Sequence, residues 1–342
     1  MPIHQNKKKE KLLQLMLRLG FYKLFQPLLF RSLTVLNYHR IDDPEDDNFA
    51  TFKPNVSALP AQFDLQMKYL AENYNVVSAS DVSAWIMDGR PLPSRAALIT
   101  FDDGYYDNYA NAFPILMKRK LPAIIFLASD YMESSTPFYW DLIAYCFFKS
   151  PNNHLEIPLV GSFSWTNEIS RDRVAKDVIE LIKTIPEQDK MKIIDSFPDL
   201  MNVSVSNDLF KGMFLSWDQV QEMSANGIEM GAHTASHPIL TRISLDDAKL
   251  EIVKSKKRIE EVINKPVVSF AYPNGQLSDY DDAVMDAVRN AGLQAAYTLL
   301  PGPTRFATVK KYPYQIRRIF LSSKDTFPRF VGKLSGLSRI SS

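Results

Sequence analysis

Short apolar runs rich in β-branched residues recur along this chain, each set off from the next by a segment with helical spacing. That alternation constrains the fold more than any other feature. Strands are expected over residues 33–38, 76–77, 96–101, 123–127, 228–230, 267–271, 295–298 and 316–320. Between them, Phe63, Met67 and Leu70 share one face of a helix expected over 59–72. Further helices are expected from Ser80 to near Gly89, from Asp107 to Lys120, over 245–263, and from Asp279 to Asn290 with Gly292 as the stop. Strands joined by crossover helices run parallel, so the chain reads as an α/β protein built on a sheet or a barrel.

The rhythm breaks between residues 130 and 215, where aromatic, polar and helix-patterned pieces follow one another without a clear strand. This stretch reads as a largely helical insertion, and insertions on α/β scaffolds often carry specificity. Trp140 and Asp141 are its candidate substrate contacts, and the rings of Tyr139 and Trp217 could also face a flat ligand. At 342 residues and 46% hydrophobic, the chain can bury a large core. A formal net charge of +1 supplies no field to recruit nucleic acid. Cys146, the single cysteine, excludes an internal disulfide framework and a thiolate zinc cluster.

Lys7, Lys8, Lys9 and Lys11 precede a leucine-rich run over 12–19 that Arg18 interrupts. No small-residue cleavage site follows, so a signal peptide is not expected. No apolar stretch approaches the roughly 20 residues that span a bilayer. A basic amphipathic helix is expected over residues 1–31, packed on the domain or lying on an anionic membrane surface through 7–31. A cytoplasmic protein, peripheral at the inner face of the membrane, fits that composition.

The chemistry gathers at strand ends. Asp102 and Asp103 close one strand, and His233 and His237 follow another with spacing suited to two ligands on one helical turn. Only five histidines occur in the chain, and two of them fall in that pentapeptide. One carboxylate and two neutral imidazoles can hold a divalent cation and leave positions open, while the second carboxylate takes a proton from an activated water. His39 and Tyr272 also come directly after expected strands. On a parallel α/β scaffold the C-terminal strand ends form one rim, so residues far apart in sequence would converge there.

Thr100-Phe101-Asp102-Asp103-Gly104 together with His233-Thr234-Ala235-Ser236-His237 resembles the polysaccharide deacetylase family, the NodB-homology carbohydrate esterases. The resemblance runs from about Leu33 to Phe320, interrupted by the insertion. It implies a distorted (β/α) barrel of about seven parallel strands over residues 32–329, with a tail over 330–342. It also implies hydrolytic removal of acetyl groups from N-acetylated sugars with a bound divalent metal. Zinc is the first expectation, and cobalt, nickel and iron(II) suit the same ligands. By resemblance Asp102 is the general base, and Asp103, His233 and His237 are the metal ligands.

The chain departs from the family pattern twice. The motif written here Phe270-Ala271-Tyr272-Pro273-Asn274-Gly275 commonly carries an arginine where Ala271 stands. Arg317 or Arg318 could supply that charge, but neighbours on a regular strand cannot both face inward. Tyr272 and Asn274 of this motif are expected near substrate, with a backbone amide near Tyr272 stabilising the oxyanion. The family's usual C-terminal acid histidine is also missing, since no histidine follows His237. Asn37-Tyr38-His39-Arg40 resembles a variant branch with an early Tyr-His motif, acting on bacterial surface or exported polysaccharides, which makes His39 the expected acid. The substrate implied is an acetylated glycan or glycolipid. The alternatives are a catalytically inactive carbohydrate-binding protein on the same fold and a metal amidohydrolase acting on a non-sugar amide.

Overall fold

Seven of the expected apolar runs close into one parallel barrel. The computed structural model describes residues 3–21, 29–46 and 48–336, without the side chains of residues 3–10. The barrel strands are β1 (Ser32–Tyr38), β2 (Ala96–Asp103), β3 (Ile124–Leu127), β4 (Glu229–Ala232), β5 (Ser269–Ala271), β6 (Ala295–Pro301) and β7 (Ile316–Phe320). Their order around the barrel is their order in the chain, and β7 pairs with β1 to close it. β1 and β2 stay in register from Leu33↔Ala96 to Tyr38↔Phe101, whereas β4 and β5 share only Phe270↔Ala232. The α/β class and the distorted seven-stranded parallel barrel are therefore as expected. The run at 76–77 contributes Asn75–Val76, which pairs with β2 outside the barrel.

Parallel strands covered on both faces read as continuous apolar runs. All seven residues of β1 and all eight of β2 are buried. One core cluster joins Leu33, Val35, Leu98, Phe126, Tyr297 and Ile316 to Val82 and Trp85 of the helix Ala79–Asp88. Three of the helices begin at the side-chain caps Ser78, Ser244 and Asp281. The helix expected from Asp107 opens instead as a π-helical turn, Asn108–Ala112, and becomes α-helical only at Phe113–Arg119. Pro114 explains the change, because it has no N–H to donate to a carbonyl four residues back.

Residues 43–55 and 133–214 form a second compact unit. It holds the helices Tyr139–Lys149, Glu168–Ile182 and Glu187–Leu200, and an unexpected two-stranded antiparallel hairpin of His154–Ile157 with Gly161–Ser164. Ile143, Phe147, Val178, Ile182 and Phe197 form its core, with Cys146 buried among them.

The helix Ile3–Arg18 packs against the helix Phe327–Leu334, within the stretch expected to end in a tail. Leu12 and Leu15 of this helix, and Leu19 just beyond it, are exposed. Residues 22–28 of the expected N-terminal segment and 337–342 of the tail lie outside the described residues. Among the described residues no helix is long and apolar enough to cross a membrane.

Candidate metal centre at the barrel rim

Adjacent carboxylates on a regular strand point to opposite faces. Asp103 escapes that rule with a left-handed φ of 78°, followed by Gly104 at 80°. That φ favours glycine at 104, where a Cβ would also crowd Met132 Cε at 2.7 Å. The turn leaves both carboxylates buried at the C-terminal end of β2.

His233 follows β4 directly, and His237 is not on a helical turn with it, contrary to the spacing argument. The segment 233–237 is irregular, and Thr234 and His237 have φ of 63° and 62°. This loop still brings the rings together. His237 Nε2 lies 3.2 Å from His233 Nε2, and the two stand 3.5 and 3.6 Å from Oδ1 of Asp103. Among the described residues these three are the one group placed to share a cation. A point about 2.0 Å from all three atoms exists within that triangle, matching zinc's ~2.0–2.2 Å bonds to nitrogen and oxygen. The donor set therefore fits a divalent metal in both chemistry and reach.

Further contacts orient these three side chains. His233 Nδ1 lies 2.7 Å from the carbonyl of Ala271. A carbonyl only accepts, so Nδ1 carries the proton and Nε2 turns its lone pair to the triangle. Burial, the largest influence, lowers the pKa of His233 against the opposing pull of Asp102, which favours the neutral ligand form. The ligand loop is held from behind by Glu251, on the helix Leu245–Ile263. Its Oε2 accepts the amides of Ala235 and Ser236, both at 2.8 Å, and its Oε1 accepts the Ser236 hydroxyl at 2.8 Å.

Asp102 lies beside the triangle with partners of its own. Arg318 Nη1 donates to Oδ1 at 2.6 Å and Asn37 Nδ2 to Oδ2 at 2.8 Å. His39 Nε2 stands 3.9 Å from Oδ2. Burial by itself would raise the pKa of Asp102. The Arg318 guanidinium and the imidazoles of His233 and His39 outweigh it and hold the carboxyl below its usual range. Arg318 is fully inside, its Nε donating to the carbonyl of Thr298 at 3.0 Å, whereas Arg317 is exposed. The charge missing at Ala271 thus arrives from β7. His39 is fixed by its own amide, which donates to Ser57 Oγ, and by its carbonyl, which accepts from Asn108 Nδ2 in the π-helical turn.

The remaining candidates have structural partners. Tyr272 is buried, its ring stacks on Tyr280 at 4.6 Å, and its hydroxyl donates to the carbonyl of Tyr314. Its amide donates to the carbonyl of Tyr297 at 3.1 Å, extending the β5–β6 ladder, so that N–H is not the oxyanion donor. Asn274 donates to Asp279 at 2.6 Å, and Asp279 also accepts the amide of Gln276. A Cβ on Gly275 in that loop would meet the Leu299 amide nitrogen at 2.8 Å. In the second unit Trp140 stacks on Phe138 at 4.4 Å, and Asp141 accepts the amide of Phe52 at 3.0 Å. Asn37, Glu251 and Asp279 were not singled out as site residues from the sequence. Asn37 was visible in the Tyr-His motif, but nothing in a lone Glu251 marks it as a loop clamp.

Residues 89–296 match the family described as polysaccharide deacetylase. The chain is 20% identical over 272 residues to YxkH of Bacillus subtilis, covering 79% of this chain and 66% of that protein. It is 35% identical over 101 residues to the poly-beta-1,6-N-acetyl-D-glucosamine N-deacetylase of Escherichia coli, covering 29% of this chain and 14% of that one. It therefore spans less than two thirds of these relatives' own lengths. Among solved structures, the Streptococcus pyogenes deacetylase PplD in complex with acetate superposes with a TM-score of 0.59 at 17% identity, covering 89% of this chain and 98% of the other. IcaB from Ammonifex degensii superposes at 0.55 and 18%, covering 89% and 97%. These two likenesses establish the fold.

Proposed function

Because this chain belongs to the polysaccharide deacetylase family, we propose that it is a metal-dependent hydrolase that removes N-acetyl groups from an amino sugar in a bacterial surface, exported or lipid-linked glycan. The observation that carries the reading is the close triangle of Asp103, His233 and His237 with a second, separately held carboxylate, Asp102, beside it. Relatives named as N-acetylglucosamine polymer deacetylases support the substrate class.

A divalent cation held by Asp103, His233 and His237 would polarise the acetamide carbonyl and lower the pKa of a water. Asp102 takes the proton as that water attacks the carbonyl carbon. Held ionised by Arg318, it is a weak base, and that is enough only for an acidified water. Asn37 and Arg318 occupy one oxygen each and fix the direction of the carboxylate. His39, protonated, delivers a proton to the nitrogen as the C–N bond breaks, so acetate and a free amine leave. Arg318 and His39 stand in for the motif arginine and the late histidine, so neither departure from the family pattern favours an inactive binding protein.

Zinc is the metal this reading favours. The exposed Leu12, Leu15, Lys11 and Arg18 of the N-terminal helix, with the exposed Leu19 just beyond it, suit peripheral contact with an anionic membrane.

The test is acetate release from a panel of N-acetylated glycans, poly-β-1,6-N-acetylglucosamine among them, with and without chelator. Release that chelator abolishes and zinc restores is expected. Release unaffected by thorough chelation would overturn the metal-dependent reading.

A further inference from the structure

Phe320 is the last residue of β7 and lies two positions beyond Arg318. Side chains on a strand alternate, so Arg318 and Phe320 share a face. Arg318 points into the barrel to reach Asp102. The pairing gives the same orientation independently. Phe320 pairs with Asn37 across β7 and β1, and Asn37 also turns inward to Asp102. Phe320 therefore rises from the inner face of the barrel one step above the residues that hold the base. Its ring lies 5.8 Å from the His39 ring at 65°, yet it remains 37% exposed. Its backbone is fixed, since its carbonyl accepts Lys333 Nζ at 3.0 Å and the next amide, Leu321, donates to Asn37. A single exposed aromatic is ordinary on a protein surface, but ligand sites are lined by aromatic side chains set among a few polar groups.

We propose that Phe320 is the platform on which the pyranose ring of the acetylated hexosamine rests. The inference rests on the deacetylase reading above and adds a subsite to it. A pyranose with equatorial hydroxyls presents a face of axial C–H groups, which covers an aromatic ring without desolvating its hydroxyls. A ring seated there lies next to His39, which must reach the sugar nitrogen. Phe320 makes its contact with the sugar rather than with the reacting carbonyl, so it acts equally on bound substrate and transition state.

The test is steady-state acetate release from a short oligomer of β-1,6-linked N-acetylglucosamine by the zinc-loaded wild type, Phe320→Ala and Phe320→Trp. Metal content and thermal midpoint are measured on each. Phe320→Ala should raise KM about tenfold and change kcat by less than about threefold. Phe320→Trp, which keeps a flat ring, should hold KM within about threefold of wild type. Should Phe320→Ala fold poorly, Phe320→Leu keeps the bulk without the flat ring and should show the same rise. An unchanged KM in the ringless variants overturns the proposal. So does a fall in kcat alone, which would make Phe320 only a brace for His39. Failure of the deacetylase reading is visible separately, because the wild type would then release no acetate from any N-acetylated glycan.

Discussion

Arg318 Nη1 donates to Oδ1 of Asp102 at 2.6 Å across 216 positions of sequence, and the pair is fully buried. One partner lies at the end of β2 and the other in β7. Neither could be placed against the other without the closed barrel, because β1 lies between their strands. The fold and the proposed base are coupled through this contact.

Removing the arginine strands a buried carboxylate. Arg318→Met should cost about 3–5 kcal/mol of folding stability at pH 7, while Arg317→Ala, at an exposed position, should stay within about 0.5 kcal/mol. The sign with pH follows from the depressed pKa of Asp102. Its contribution is present above the unfolded carboxyl value, about 3.9, and is lost as pH falls through the lower folded value. Urea unfolding should therefore show a gap between wild type and Arg318→Met that is full above about pH 5 and narrows below about pH 4.

Glu251 touches neither His233 nor His237, yet it holds the loop between them. Glu251→Ala should weaken zinc affinity by about 10–100-fold in competition with a chromogenic chelator. Glu251→Gln keeps an oxygen for the two amides that converge on Oε2 and should lose much less. Equal losses in the two variants would point to charge rather than loop geometry.

Asn37 holds Asp102, the proposed base, at the oxygen that Arg318 Nη1 does not contact. Asn37→Leu, close in size, should lower kcat on the order of tenfold to a hundredfold, as expected for a lost hydrogen bond to a charged group. Zinc content should match the wild type, because Asn37 bonds Asp102 and not a ligand.

The second unit has its own probe. Burial pushes the Cys146 thiol up to about 12. At pH 8 the native chain should react with neither maleimide nor a disulfide reagent over hours, and in denaturant one thiol per chain should appear.

The barrel was legible in the sequence because parallel strands buried on both faces read as largely apolar runs, as β1, β2 and β3 do, and the strand–helix rhythm carries the more polar β4 and β7 along with them. The hairpin at 154–164 was not, since its four-residue strands carry His154, Glu156, Ser162 and Ser164 on exposed positions and show no apolar run. The group of Asp103, His233 and His237 proposed to hold the metal was visible in residue type and spacing, but the loop was not. Threonine and histidine give no hint of the left-handed φ at 234 and 237 that makes the rings converge. Choosing between Arg317 and Arg318 needed the strand's facing, which is set by its pairing with β1 and β6 and not by its own residues. The sequence leaves open which backbone amide near Tyr272 faces the oxyanion, and it does not show that the Tyr272 amide itself is taken up by a ladder that runs one residue further.

Metal content and turnover measured together on two neighbouring substitutions test the central claim most directly. Asp102→Asn should bind zinc like the wild type and lose turnover by about 10²–10⁴-fold, while Asp103→Ala should lose zinc and turnover together. Near-wild-type acetate release by Asp102→Asn, or full zinc occupancy in Asp103→Ala, would contradict the division of labour between the two carboxylates.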